Sequence, residues 1–129
     1  MAETREPLTS PLDKNWMLLL IDADKNPKTG WHDYDFLINK KIKNGKFTLL
    51  QKYNSQYKMW EDRIELPFKF NKNKIELAIP RSCLNLSKKN FTFDFHWADN
   101  PENLTNIIDF CTTGDSAPNR KFNYRCSVL

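Results

Sequence analysis

Oxygen donors recur at alternate positions after the apolar run that ends at Ile21: Asp22, Asp24 and Asn26, with Asp33 standing twelfth when Asp22 is counted first. A hard cation such as calcium binds where several such oxygens converge, and alternation lets a curling backbone turn every second side chain inward. The spacing departs from the EF-hand loop in two places. Pro27 occupies the position of the turn glycine, and Asp33 replaces the bidentate glutamate. The segment also follows a strand-like run, Trp16 to Ile21, where an EF-hand has a helix. A polar loop between two strands is expected, with Asp22, Asp24, Asn26 and Asp33 as ligands of a structural calcium.

Aromatic residues supply the second chemistry. Trp31 and Trp60 each sit among polar or charged neighbours, outside the apolar runs. Exposed tryptophans mark binding surfaces. An indole face stacks on the C–H face of a pyranose, while nearby polar groups reach the hydroxyls. The alternative is that both rings fold back as lids over the ends of the fold, and the residue pattern leaves both readings open. Asp94, His96, Asp99 and Arg120 complete the set of groups that could contact a sugar. Each also has a structural reading: Asp94 and His96 on a solvated strand face, Asp99 in a turn with Asn100 and Pro101, and Arg120 in an ion pair with Asp115.

Catalysis finds little support. Glycoside hydrolysis needs two carboxylates placed across a bond, and sixteen acidic residues make some such pair inevitable. No phosphate-cradling glycine loop, zincin pattern or local motif for a cysteine nucleophile occurs. The chain is therefore read as noncatalytic.

The elements that must position these groups are strands. Phe91, Phe93, Phe95 and Trp97 alternate with Thr92, Asp94 and His96, and Ile75, Leu77 and Ile79 alternate with polar residues. That period of two predicts half-buried strands. Tyr34, Phe36 and Ile38 are expected to share a face. Trp16 to Ile21 is apolar on both faces, which predicts a central strand covered on each side. Turn residues separate the runs at Asn44-Gly45, Asn54-Ser55 and Asn71-Lys72-Asn73. Asn44-Gly45 predicts a tight hairpin, because both residues tolerate positive φ. Helix is confined to one turn at Pro80–Leu84 and a second between Asn100 and Asn106. The expected fold is an all-β, antiparallel, jelly-roll-like β-sandwich over residues 16–129, preceded by an extended segment, residues 1–15.

Composition bounds the partners. The chain has 129 residues, 40% of them hydrophobic and 28% charged, with a net charge of +4. That is enough for one domain with a core. No window approaches the roughly 20 apolar residues of a membrane span, so no membrane partner is expected. Lys40, Lys41, Lys43 and Lys46 surround one hairpin, where lysines keep an edge soluble. Arginine, the better reader of phosphates and bases, is scarce, so no nucleic-acid partner is expected either. Cys83, Cys111 and Cys126 are odd in number and match no zinc spacing.

The runs Trp16–Asp24, Lys28–Trp31, Tyr34–Asn39, Leu77–Ser82, Asp94–Asn100 and Gly114–Pro118, in that order, together resemble a bacterial carbohydrate-binding-like β-sandwich domain. That domain lies C-terminal to polysaccharide-processing enzymes and is similar to family 9 carbohydrate-binding modules and the DOMON-like group. The resemblance implies frequent structural calcium, a tryptophan pair around the end of a glycan, and a noncatalytic role beside a glycoside hydrolase. The partners it implies are an oligo- or polysaccharide and a covalently linked or neighbouring catalytic domain. An alternative role is a structural domain that braces such an enzyme without a ligand of its own. Family members carry further strands before the segment that here starts at Ala2, so the chain is expected to begin inside the domain. A sheet edge left bare in this way invites a homodimer.

Overall fold

Leu18, Leu19, Leu20 and Ile21 carry no polar side chain on either face, so a strand built from them is stable only with cover on both sides. The structure, a computed structural model, describes residues 1–119 and 122–129. It places these four residues in β2 (Leu18–Asp22), every residue of which is buried. Nine further strands surround it: β1 (Ala2–Glu3), β3 (Phe36–Ile38), β4 (Ile42–Lys43), β5 (Phe47–Asn54), β6 (Met59–Asn71), β7 (Lys74–Leu77), β8 (Phe91–Asp99), β9 (Asp115–Ala117) and β10 (Tyr124–Val128). All pairings are antiparallel.

The strands form one sheet in the order β1-β7-β6-β5-β3-β2-β8-β10, with β4 on β5 and β9 on β8. The sheet curls into a half-barrel. Four strands separate β7 from β8 in that order, yet Ile75 and Leu77 of β7 line the same interior cavity as Phe95 and Trp97 of β8. β6 makes this possible. Its first part pairs with β5, its last part with β7, and Pro67 stands at the handover, where a strand can tolerate a missing N–H.

Alternation along β2 divides the core. Leu19 and Ile21 point inward to Phe36, Ile38, Leu50 and Leu66. Leu18 and Leu20 point outward to Tyr34, Leu37, Ala98 and Phe110. Tyr34 thus lies on the opposite face from Phe36 and Ile38, contrary to the single face expected. It belongs to an isolated bridge with Trp31 ahead of β3, which breaks the two-residue period. The row Phe91, Phe93, Phe95 and Trp97 faces inward as its alternation predicts. It stays half-buried because the interior is an open cavity of about 350 Å³.

A turn of 3-10 helix follows Pro80 at Arg81–Leu84 and closes one end of the interior with Leu84. The second helical turn falls at Asp109–Cys111, beyond the segment expected to hold it. Within that segment, Asn103 and Asn106 accept hydrogen bonds from the N–H groups of Thr105 and Ile108. These Asx turns compete with a helical start. The extended residues 1–15 are tied at their beginning to the β7 side of the sheet. Thr4 N–H donates to Asn73 O at 2.9 Å, and Leu8 N–H donates to Lys72 O at 2.7 Å. No helix among the described residues is long and apolar enough to cross a membrane.

The Asn44-Gly45 turn forms as predicted, with φ of 53° and 62° and Lys46 N–H donating to Lys43 O at 3.1 Å. A Cβ on Gly45 would meet nothing within 4 Å. Gly45→Ala should therefore cost only the left-handed backbone penalty, about 1 kcal/mol, as a lower urea midpoint at unchanged m-value. Among the surrounding lysines, Lys41 pairs with Asp62 at 2.8 Å and Lys43 of β4 with Glu65, both reaching across β5 to β6.

Candidate ligand groove and acidic cluster

The groove is built on the outer face of the sheet. Leu20, Leu37, Gln51 and Asp62 are successive cross-strand partners on β2, β3, β5 and β6, so their side chains share that face. A register shift at Leu50/Gln51 brings Gln51 opposite Asp62 rather than Arg63. Such bulges re-aim side chains near sites. Two residues further along, Tyr53 pairs with Trp60, their ring centroids 5.1 Å apart.

Trp31 reaches this face from the loop after β2. Gly30 turns the chain with φ of 71°. Trp31 N–H then donates to Tyr34 O at 2.8 Å, and Tyr34 N–H returns a bond to Trp31 O at 3.0 Å. The indole stands edge-on to Trp60 at 6.2 Å and tilted against Phe110 at 5.4 Å. Trp31, Trp60, Phe110, Gln51, Lys40 and Lys41 line one cavity of about 300 Å³. The two tryptophans, twenty-nine positions apart in the chain, therefore meet in one groove.

The polar groups of the groove are unevenly satisfied. Gln51 is 3% exposed, and its Nε2 donates to Asp62 Oδ1 at 2.8 Å. The bond from Lys41, then that from Gln51, holds the Asp62 carboxyl below the usual carboxylate range. An ionised carboxylate only accepts, which fixes the amide orientation. Gln51 Oε1 is left buried with no partner among the described residues. Lys40 Nζ donates to Asn15 Oδ1 at 3.0 Å. Partial burial, and then the nearby Lys14 charge, lower the affinity of this ammonium for its proton. Nothing in the local pattern around Lys40, Lys41 or Gln51 distinguishes them from solubilising residues. Only the pairing of β5 with β3 and β6 brings them together.

The other expected sugar contacts lie elsewhere. Asp94 accepts two bonds from Arg125 at 2.8 and 2.9 Å, and this pairing holds its carboxyl below the ordinary value. His96 is 2% exposed, with Nδ1 at 2.9 Å from Phe122 O. Burial lowers its pKa, favouring the neutral ring. Asp99 Oδ1 accepts from Met17 N–H at 2.9 Å, and burial pushes its carboxyl up. None of these three lines the groove. Arg120 lies outside the described residues.

The acidic loop also gathers, with a different membership from that expected. Carboxylate oxygens of Asp22, Asp24 and Asp35 lie within 4.8 Å of one another. Asp35 takes the place expected for Asp33 because its N–H donates to Ile21 O at 2.8 Å, docking it beside the end of β2. Asp35 Oδ2 then accepts from Ala23 N–H at 2.9 Å. Asp33 is exposed in the turn between Trp31 and Tyr34, with φ of 78°. Asn26 Oδ1 accepts from Lys28 N–H at 3.0 Å, which braces the loop. Asp22 is buried, and its pKa is raised to about 6, first by burial and then by the charges of Asp35, Asp24 and Asp94, against a hydrogen bond from Lys25 N–H. Burial likewise raises Asp35.

Comparison of the chain with protein-family models, with curated proteins and with solved structures returned no match.

Proposed function

We propose that this chain is a noncatalytic carbohydrate-binding module, an accessory domain of a polysaccharide-processing protein, which holds glycan in the Trp31–Trp60 groove. The observation that carries this reading is the convergence of two tryptophans on one cavity whose lining also holds Lys40, Lys41 and Gln51. Ligand pockets characteristically combine apolar and aromatic walls with a few placed polar groups. The resemblance to family 9 modules and the DOMON-like group supports the same reading.

Calcium belongs to this proposal as a structural ion. Asp22, Asp24 and Asp35 offer an all-oxygen donor set suited to a hard cation, with their carboxylate oxygens within 4.8 Å of one another. A cation there would brace the loop that carries Trp31.

Titration with a broad oligosaccharide panel should quench or shift tryptophan fluorescence. Trp60→Ala should weaken binding at least about tenfold, equivalent to about 1.4 kcal/mol, while circular dichroism still reports a folded sheet. Undiminished binding by Trp60→Ala and Trp31→Ala, or no response of well-folded protein to any glycan, would defeat the proposal.

One observation favours the alternative role of bracing a neighbouring glycoside hydrolase. The outer edge of β10 has no strand partner among the described residues, and Tyr124 and Val128 on it are 48% and 40% exposed. The same bare edge supports a homodimer.

A further inference from the structure

The groove carries more information than an affinity for sugar. Two charged side chains line it, Lys40 and Lys41, and both are cations. Lys41 is neutralised by Asp62, which stands outside the lining at 2.8 Å. Lys40 has no carboxylate partner among the described residues; its ammonium bonds only the neutral Asn15 side chain, and Lys14 adds positive charge nearby. A cation beside an aromatic wall, without a counter-ion, is a selectivity element. An arriving anion offsets its charge, whereas a neutral hydroxyl supplies only a hydrogen bond.

Resting on the carbohydrate reading of this groove, we infer that its ligand is an anionic pyranose. The sugar ring packs on the Trp31–Trp60–Phe110 wall, and its acidic group meets Lys40. A uronate carboxylate and a sulfate ester present the same chemistry to Lys40.

Three oligosaccharides of equal length test this by fluorescence titration and calorimetry: an oligouronate, its carboxyl-reduced neutral form, and a sulfated oligosaccharide. At least one acidic ligand should bind roughly tenfold or more tighter than the neutral form, and added salt should shrink the difference as it screens the ammonium. Whichever acidic ligand binds tighter identifies the acidic group. Lys40→Met should erase the acid preference by weakening the acidic ligand far more than the neutral one, and Lys40→Arg should keep the preference. Neutral binding as tight as acidic binding overturns the anionic inference and leaves the carbohydrate reading standing. An acid preference that survives Lys40→Met overturns the assignment to Lys40. No binding of any sugar by cooperatively folding protein overturns the carbohydrate reading, and this inference with it.

Discussion

Gly30→Ala is expected to destabilise the protein by on the order of 3 kcal/mol and to abolish ligand binding in the Trp31–Trp60 groove. Two independent costs add. The φ of 71° is a left-handed conformation that L side chains rarely adopt. A Cβ would also lie 2.3 Å from Tyr34 O and 2.5 Å from Tyr34 C. Those are backbone atoms of the reciprocal Trp31–Tyr34 bridge, so no flexible side chain can give way. Relief requires the bridge to open, and with it the placement of the Trp31 ring against Trp60 and Phe110. Gly45, equally left-handed but surrounded by open space, isolates the conformational part of the cost. Thermal melts should therefore drop by on the order of 10 °C for Gly30→Ala, far more than for Gly45→Ala. Equal losses at the two glycines would show that the close approach at Gly30 does not constrain the loop.

Asp22 should make the protein less stable at neutral pH than in mild acid, and calcium should reverse that loss. Its pKa is about 6 in the folded protein against the ordinary aspartate value of 3.8. Between those values the folded state holds more protons than the unfolded state, so this group's contribution to stability falls as pH rises. It is constant below about pH 4, where both states are protonated, and fully lost above the folded pKa. At about 1.4 kcal/mol per pH unit, the difference is at most about 3 kcal/mol, and solvent screening of the partly buried carboxyl reduces it. Asp35 and Asp99 shift in the same direction, while Asp62 and Asp94 oppose it. Comparison of wild type with Asp22→Asn therefore isolates Asp22. The amide keeps an acceptor for Lys25 N–H and has no charge to bury, so the variant should gain stability at pH 7 and lose none below pH 4.

The proposed calcium would bind the ionised carboxylates, so at pH 7 it should raise the melting temperature of wild type; a concentration 100 times Kd corresponds to about 2.7 kcal/mol. The gain should vanish near pH 4.5 and in Asp22→Asn or Asp24→Ala. Melts at pH 7 that coincide in calcium and in chelator would sink the metal proposal and leave the pH effect standing.

Local signals were sufficient for much of the architecture. Period-two alternation identified β7 and β8, the doubly apolar run identified β2 as a strand covered on both faces, and Asn44-Gly45 placed its hairpin. Each depends on chemistry within a few residues: side chains alternate along a strand, and only certain residues tolerate positive φ. The loop after β2 was legible to the same degree. Its acidic character and its tryptophan are plain in the chain, but the third carboxylate was misplaced by two positions. Counting along the chain cannot show which residue strand pairing brings beside Asp22. Asp35 qualifies because β3 hydrogen-bonds to β2.

The amino-acid sequence by itself determined an all-β antiparallel chain, its main turns, and the residue types of an oxygen cluster and an aromatic site. The tertiary structure alone decided that the strands make one sheet curled on itself, that Trp31 and Trp60 share a cavity, and that Gln51 and Lys40 stand in its wall. It also placed Asp94, His96 and Asp99 in structural bonds away from that cavity. The reason is physical. Strand formation follows from local periodicity, whereas a site depends on register between strands distant in sequence, where a one-residue shift turns a side chain to the opposite face.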